Sequence, residues 1–228
     1  MLLIPWEQLP PEMRVAEVRP YYDLLKRKTL SLLLKRCFDV VLSVILIIVL
    51  SPVFIILAIA IKLDSHGPVF FRQERVTQFG RKFRIFKFRS MFEHETGKWA
   101  QLTVSQDDRV TTVGKVMRRF RLDEISQLLN VLYGTMTFVG TRPEVPKYVD
   151  CYTHEMLATL LLPAGITSEA SIKYKDEDKL LKAAGNPDKV YVEKILPDKM
   201  KYNLNELAQC GVLHDLAVMW RTFWAVFH

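Results

Sequence analysis

The feature that most constrains this chain is the apolar run from Cys37 to Ile61, which carries no charge from Val40 onward. At helical rise the 22 residues from Val40 to Ile61 span about 33 Å, enough to cross the hydrocarbon core of a bilayer. Two features argue against a plain spanning helix. Ser51-Pro52 lies mid-run, where proline removes a backbone donor and clashes with the preceding turn. The flanks are basic on both sides, with Lys26, Arg27, Lys28, Lys35 and Arg36 before the run and Lys62, Arg72 and Arg75 after it. A spanning helix shows a Lys/Arg excess on its cytoplasmic side only. A helix broken at Ser51-Pro52, dipping into one leaflet and returning, satisfies both ends at once. The Ser51 hydroxyl can relieve part of the backbone cost of the break. A spanning helix with a proline kink is the competing reading.

The 228 residues divide into a leader and basic approach helix (1–36), the apolar segment (37–62) and a remainder (63–228) of about 165 residues, large enough for a real core. The run starts too late and is too long for a signal peptide, so it is expected to stay in the mature protein. The net charge of +7 suits anionic lipid, phosphorylated substrates or nucleic acid, but no nucleic-acid motif appears and that partner ranks low. Cys37, Cys151 and Cys210 read as reduced thiols of a cytoplasm-facing protein, and the five histidines form no zinc pattern.

The fold class expected is α+β and mostly helical: a re-entrant membrane helix, then a small cytoplasmic domain with a short β-hairpin and interfacial amphipathic helices. Residues 1–20, with Pro5, Pro10, Pro11 and Pro20, read as an irregular leader, and Tyr21–Arg36 as one basic amphipathic helix. Val69-Phe70-Phe71 and Lys82–Met91 make the hairpin, the second strand with a one-residue slip at Ile85-Phe86. Residues 93–112 read as a polar loop over the site, and Thr112–Arg121 as a basic helix. Leu122–Leu132 reads as a second helix on the spacing of Leu122, Ile125, Leu128, Leu129 and Leu132, closed by Gly134. Thr135–Pro146 is expected to be a loop, Pro146–Leu161 a helix and Pro163–Thr167 a turn. The stripe Leu213, Leu216, Ala217, Trp220, Phe223, Trp224 and Phe227 is either core or an interfacial contact.

Asp123-Glu124 is the constellation with chemistry in it. Arg118, Arg119 and Arg121 precede it within five residues, and a helix starting near Leu122 turns its positive end toward it. Carboxylates so placed are expected to stay ionised. One can attack phosphorus, as in aspartyl-phosphate enzymes, while its neighbour holds Mg²⁺ across phosphate oxygens. An exposed salt-bridge cluster fits the same spacing. Two further cationic spots can complete an anion site: Lys87 and Arg89 on one strand face, and Arg142 in the stiff loop Val139-Gly-Thr-Arg-Pro-Glu144.

Several stretches together resemble the bacterial sugar transferase family, the monotopic phosphoglycosyl transferases acting on polyprenyl phosphate, in their minimal catalytic form. They are Lys35-Arg-Cys-Phe-Asp39, Ser51-Pro-Val-Phe54, Gly67-Pro-Val-Phe-Phe-Arg-Gln-Glu-Arg75, Phe86-Lys-Phe-Arg-Ser-Met91 and Asp108-Arg-Val-Thr111, followed by Leu122-Asp-Glu124, Gln127-Leu-Leu-Asn-Val-Leu132, Val139–Glu144 and Gly165-Ile-Thr167. The resemblance implies that Asp123 is a nucleophile, that Glu124 is associated with Mg²⁺ and that Arg118 contacts phosphate. It places Arg142 and Pro143 in nucleotide-sugar binding, and Glu144, which closes that motif, joins the substrate-binding candidates with Lys87 and Arg89. The implied reaction is ping-pong: Asp123 attacks a UDP-sugar and releases UMP, and polyprenyl phosphate then takes the sugar phosphate. It also implies a re-entrant anchor broken at Ser51-Pro52 in the lipid of the bacterial cytoplasmic membrane, with the catalytic part on the cytoplasmic face, early in exopolysaccharide, capsule or glycoconjugate assembly. The small size permits a homodimer. Three departures stand out: Thr141 for the first Pro of a Pro-Arg-Pro loop, Ser126 for a Pro after the acidic pair, and an extra Ala164 before Gly165. A membrane-tethered scaffold with a basic lipid-binding face and no catalysis is the alternative from another class.

Overall fold

A computed structural model describes residues 3–92, 109–182 and 185–227. The expected loop over the site falls largely on 93–108, outside the described residues. The first helices are α1 (Arg19–Arg27), α2 (Thr29–Val49) and α3 (Ser51–Asp64). The expected approach helix is thus two pieces, and its second half is continuous with the first limb of the apolar run. Among the described residues no single helix is long and apolar enough to cross a membrane; α2 and α3 meet that requirement only together, and they are bent by 61° at the break.

The break has a local cause. Pro52 falls in the first turn of α3, where its missing N–H would have gone to the Ile48 carbonyl. The Ser51 hydroxyl donates to that carbonyl instead, at 2.8 Å. Beyond the break the ladder resumes, Phe54 N–H donating to the Leu50 carbonyl. On the outer surface of the pair Ile48, Val49, Ile55, Ile56 and Ile59 are all more than half exposed. An exposed apolar surface of this kind marks an interaction site for protein or lipid.

The inner face of α2 is pinned by polar groups. Buried Lys35 donates to the Val139 carbonyl at 2.9 Å and forms an ion pair with buried Asp215. Asp39 accepts from the Thr137 hydroxyl at 2.7 Å and from Phe138 N–H. Arg36 donates to the Val131 and Leu132 carbonyls at the end of a later helix, the first of which also accepts from Gly134 N–H. The stretch Lys35–Asp39 therefore docks the bent pair onto the rest of the fold.

The hairpin strands are β1 (Phe70–Val76) and β2 (Lys82–Phe88), antiparallel, with register running unbroken from Phe70↔Phe88 to Val76↔Lys82. The first strand is longer than Val69–Phe71, and the slip at Ile85-Phe86 is a change of buried face with no bulge. Phe83 and Ile85 pack on Leu128 and Val131, while Phe88, on the opposite face, packs on Leu57 and Ile61 of the bent pair and on Met117. Helix α4 (Thr112–Arg119) starts on Thr111, whose hydroxyl accepts from Gly114 N–H, and Asp64 at the end of α3 accepts from Val113 N–H.

After α4 the expected second helix opens as a 3-10 turn, Leu122–Gln127, and becomes α-helical only in α5 (Leu128–Leu132). The spacing of three between Leu122, Ile125 and Leu128 suits that tighter coil. The loop and turn expected on either side of Pro146–Leu161 contain two further strands, β3 (Met136–Val139) and β4 (Ala164–Thr167), paired in parallel. All four β3 residues are buried, so no alternation marked it as a strand. A Cβ on Gly165 would lie 2.2 Å from the Gly140 carbonyl oxygen, so only glycine allows this approach. Ala164 is the first residue of β4, with its N–H donating to the Thr77 hydroxyl. The helix expected from Pro146 is a single turn, α6 (Pro146–Val149), and a 3-10 turn follows only at Met156–Leu161.

The chain ends in α7 (Glu169–Lys173), α8 (Glu177–Lys182), α9 (Pro187–Val190), α10 (Leu196–Gln209) and α11 (Val212–Phe227). Sequence reading missed α10, which buries Leu196, Met200 and Leu207. The leader is irregular but belongs to the core, with Leu9, Met13 and Val18 buried beside Tyr22 and Leu25. On α11, Val218 is buried whereas Leu213, Leu216, Trp220, Phe223 and Trp224 are exposed, so the aromatic stripe is not core.

Candidate active site

The site gathers where the hairpin, the 3-10 turn after α4 and the loop leaving β3 converge. Glu124 is its anchor. Its carboxylate accepts from Lys87 of β2 at 2.9 Å and from Arg142 of the β3 loop at 2.6 Å, with a longer second contact to Arg142 at 3.4 Å. Burial works to raise the Glu124 carboxyl, but Arg142 and Lys87 outweigh it and hold the group well below the usual carboxylate range. Glu124 in turn keeps the Arg142 guanidinium protonated.

Asp123 is different. It is half-buried, and among the described residues its carboxylate makes no hydrogen bond or ion pair to another side chain. Burial pushes its carboxyl above the ordinary value; Lys87 and Arg118 pull the other way and Glu124 adds to the rise. The cations around Glu124 favour its ionised form, as expected, whereas at Asp123 burial opposes them and makes the carboxylate more basic. The helix dipole invoked for them is weak here, because the element is a six-residue 3-10 turn.

A cleft of about 600 Å³ opens beside this pair, lined at one end by Arg118, Arg119, Arg121, Glu124 and Arg142. Its floor is apolar, with Leu46 and Leu50 from the helix break, Ile125, Leu128, Phe138 and Ile166. Ser171, Lys175 and Thr222 also line it. Of the adjacent pair, Glu124 rather than Asp123 lines it, and Asp176 is a second carboxylate in the lining. Arg118 is oriented by Ser90, whose hydroxyl accepts from its Nε at 2.9 Å. Arg121, just past the end of α4, has φ 54° and ψ 24°, the left-handed conformation normally left to glycine at a helix terminus. For a side-chain-bearing residue that costs about 1–2 kcal/mol.

Of the residues singled out in the sequence, Asp123, Glu124, Lys87, Arg118 and Arg142 are brought together. Arg89 is not. It is 2% exposed and its guanidinium donates to the Ser65 and His66 carbonyls, at 2.7 Å each, tying the end of α3 to the hairpin. Lys87 and Arg89 therefore do not act from one face, because the strand ends at Phe88 between them. Pro143 is buried with its carbonyl accepting from Arg75. Glu144 is buried away from the cleft lining, accepting from the Tyr191 hydroxyl and lying 3.8 Å from Lys199. Sequence reading missed Ser90, Ser171 and Lys175, for which only Ser90, within a recognised motif, carried a local signal.

The carboxylate pair can be weighed as a cation site. Among the described residues no group of three Asp, Glu, His or Cys side chains converges. Mg²⁺ is commonly held by one or two carboxylates and completes its octahedron with substrate phosphates and water. Glu124 Oε2, whose contact to Arg142 is the long one at 3.4 Å, would suit that smaller requirement.

Comparison with known proteins places this geometry in context. The sequence profile of the family described as Bacterial sugar transferase matches residues 30–228. The chain is 33% identical over 220 residues to a UDP-glucose:undecaprenyl-phosphate glucose-1-phosphate transferase of Escherichia coli (strain K12), covering 95% of this chain and 45% of that protein. It is 46% identical over 123 residues to a UDP-N-acetylgalactosamine-undecaprenyl-phosphate N-acetylgalactosaminephosphotransferase of Aeromonas hydrophila, covering 54% of this chain and 29% of that protein. It is also 29% identical over 207 residues to the exopolysaccharide production protein ExoY of Sinorhizobium fredii (strain NBRC 101917 / NGR234), covering 84% of each. The chain spans less than half the length of the first two relatives.

Proposed function

The chain belongs to the bacterial sugar transferase family, and from that membership and the geometry above we propose that it transfers a sugar-1-phosphate from a UDP-sugar to polyprenyl phosphate. The products are UMP and a polyprenyl diphosphate sugar, formed early in exopolysaccharide, capsule or glycoconjugate assembly. The observation that carries the reading is the division of labour between adjacent carboxylates. Glu124 is locked by two cations and made weakly basic; Asp123 has no side-chain hydrogen bond or ion pair among the described residues and is made more basic by burial. A nucleophile needs an available lone pair and basicity, so the role falls to Asp123.

An Asp123 oxygen attacks the sugar-linked phosphorus, the bond to the bridging oxygen breaks, and UMP leaves with that oxygen. A phosphate oxygen of the polyprenyl acceptor then attacks the same phosphorus and returns the carboxylate. Arg118 and Arg142 neutralise charge on the phosphates during both displacements. Glu124 is the residue that would hold Mg²⁺, which when bound supplies further neutralisation of phosphate charge. The bent pair α2–α3 enters one leaflet and returns, setting the cleft at head-group depth where a cytoplasmic nucleotide sugar and a lipid phosphate can both reach it. The exposed Trp220, Phe223 and Trp224 of α11 lie in the interface, where aromatic side chains are favoured.

The test is incubation of the purified full chain with Mg²⁺, polyprenyl phosphate and a panel of UDP-sugars, following UMP and lipid-extractable sugar. UMP and glycolipid are expected in equal amounts with at least one sugar; neither product with any sugar overturns the reading. For the anchor, single cysteines near residues 30 and 66, in a background lacking Cys37 and Cys151, are expected to label from the cytoplasmic side only. Labelling from opposite sides restores the spanning helix.

A further inference from the structure

We infer that Arg121, together with Arg119, forms a phosphate clamp for the lipid acceptor, separate from the cations that serve the donor; the inference rests on the transferase reading and deepens it. The guanidinium groups lining the cleft fall into two sets, with Lys175 and Asp176 also in the lining. Arg142 is committed to Glu124, as is Lys87 beside the cleft, and Arg118 is held by Ser90. Arg119 and Arg121 line the same cleft and are exposed, and among the described residues neither is paired with a carboxylate. The Arg119 guanidinium lies over the Phe120 ring, 5.6 Å from its centroid.

Three further observations point to the ligand. The cleft that receives these guanidinium groups is floored by Leu46 and Leu50, the residues at the break of the apolar helix pair. Val116 and Phe120, one helical turn apart beside the two arginines, are 56% and 51% exposed, so this edge of the site is apolar on its outer side. A ligand that suits both is a phosphate monoester on a long hydrocarbon chain, its head on the guanidiniums and its first units along Leu46 and Leu50. Last, Arg121 keeps a left-handed backbone that glycine would adopt without strain. Strain retained at a residue lining the cleft marks a side chain held there for use.

The clamp predicts a separation of effects. Arg121→Gly removes the guanidinium and suits the backbone, so its melting temperature should be no lower than the parent's. Equilibrium binding of farnesyl phosphate, a short polyprenyl phosphate, to the full chain in phosphatidylcholine nanodiscs should weaken about tenfold, the size of one lost charge-assisted hydrogen bond. Arg121→Lys, which keeps the charge, should recover part of this. The KM for polyprenyl phosphate should rise by a similar factor, while single-turnover UMP release without acceptor should change by less than about threefold. Wild-type farnesyl phosphate binding in Arg121→Gly overturns the inference. So does an equal loss of UMP release, or an equal loss of affinity for phosphatidylglycerol vesicles, which marks a general lipid contact. Binding through Arg121 in a parent that releases no UMP supports the clamp while sinking the transferase reading, so the two failures are distinguishable.

Discussion

Asp123→Asn is expected to reduce UMP release from the cognate UDP-sugar by about 10⁴-fold or more, because the amide keeps the shape of the side chain and loses the attacking lone pair. The fold should be undisturbed, since the carboxylate has no side-chain partner among the described residues. Glu124→Gln acts differently. It leaves Lys87 and Arg142 without their shared anion, and a loss of about 10²–10³-fold is expected from misplaced cations. The parent's pH profile separates the two carboxylates. Attack requires ionised Asp123, whose carboxyl burial raises above 3.8, so the rate should fall with acid through a midpoint above that value. Glu124, held well below its ordinary range, contributes nothing to that limb. An acid midpoint at or below 3.8 contradicts the assignment.

Lys35→Met is expected to destabilise the protein by about 3–5 kcal/mol, the cost of stripping one partner from a buried ion pair. It leaves Asp215 buried without its cation and the Val139 carbonyl without its donor. Burial already pushes the Asp215 carboxyl up to about 6 beside Lys35. A carboxyl raised in the folded state binds protons more tightly there, so its contribution to stability is present at low pH and lost as pH rises through the folded value. Removing Lys35 raises that value further, and the deficit should be larger at pH 8 than at pH 5. Lys35→Met with Asp215→Leu should restore much of the loss. Denaturant midpoints across pH measure all three, and a pH-independent deficit sinks this account. Because Lys35 holds α2 against β3, the strand that leads into the Arg142 loop, activity should fall with it.

The break in the apolar run was legible in Ser51-Pro52, because proline and a neighbouring hydroxyl have local, obligatory consequences for backbone hydrogen bonding. The helical character of α4 and the hairpin were legible from period and turn residues. The parallel pair β3–β4 was not. Each strand has four residues, β3 is buried throughout, and pairing across 28 positions of sequence (Met136 with Ala164) leaves no local mark. At the site, Asp123, Glu124, Arg118, Lys87 and Arg142 were readable as chemistry, since each lies in a motif of charged residues. Arg89 looked the same in sequence and is a structural tie, because alternation along a strand does not reveal where the strand ends. Glu144 was likewise assigned by its motif, whereas its partners Tyr191 and Lys199 come from the C-terminal third, which no pattern linked to the loop.

The central claim is that Asp123 carries the sugar phosphate covalently between two half-reactions. Its most direct test is intact-protein mass spectrometry after incubation with Mg²⁺ and the cognate UDP-sugar, with polyprenyl phosphate left out. A mass increase equal to one phosphosugar group (the sugar-1-phosphate less water) is expected, located on the peptide containing Asp123. The increase should vanish on adding polyprenyl phosphate and be missing from Asp123→Asn. UMP formed only when polyprenyl phosphate is present, with no adduct at any time, would show a direct transfer between the two substrates and contradict it.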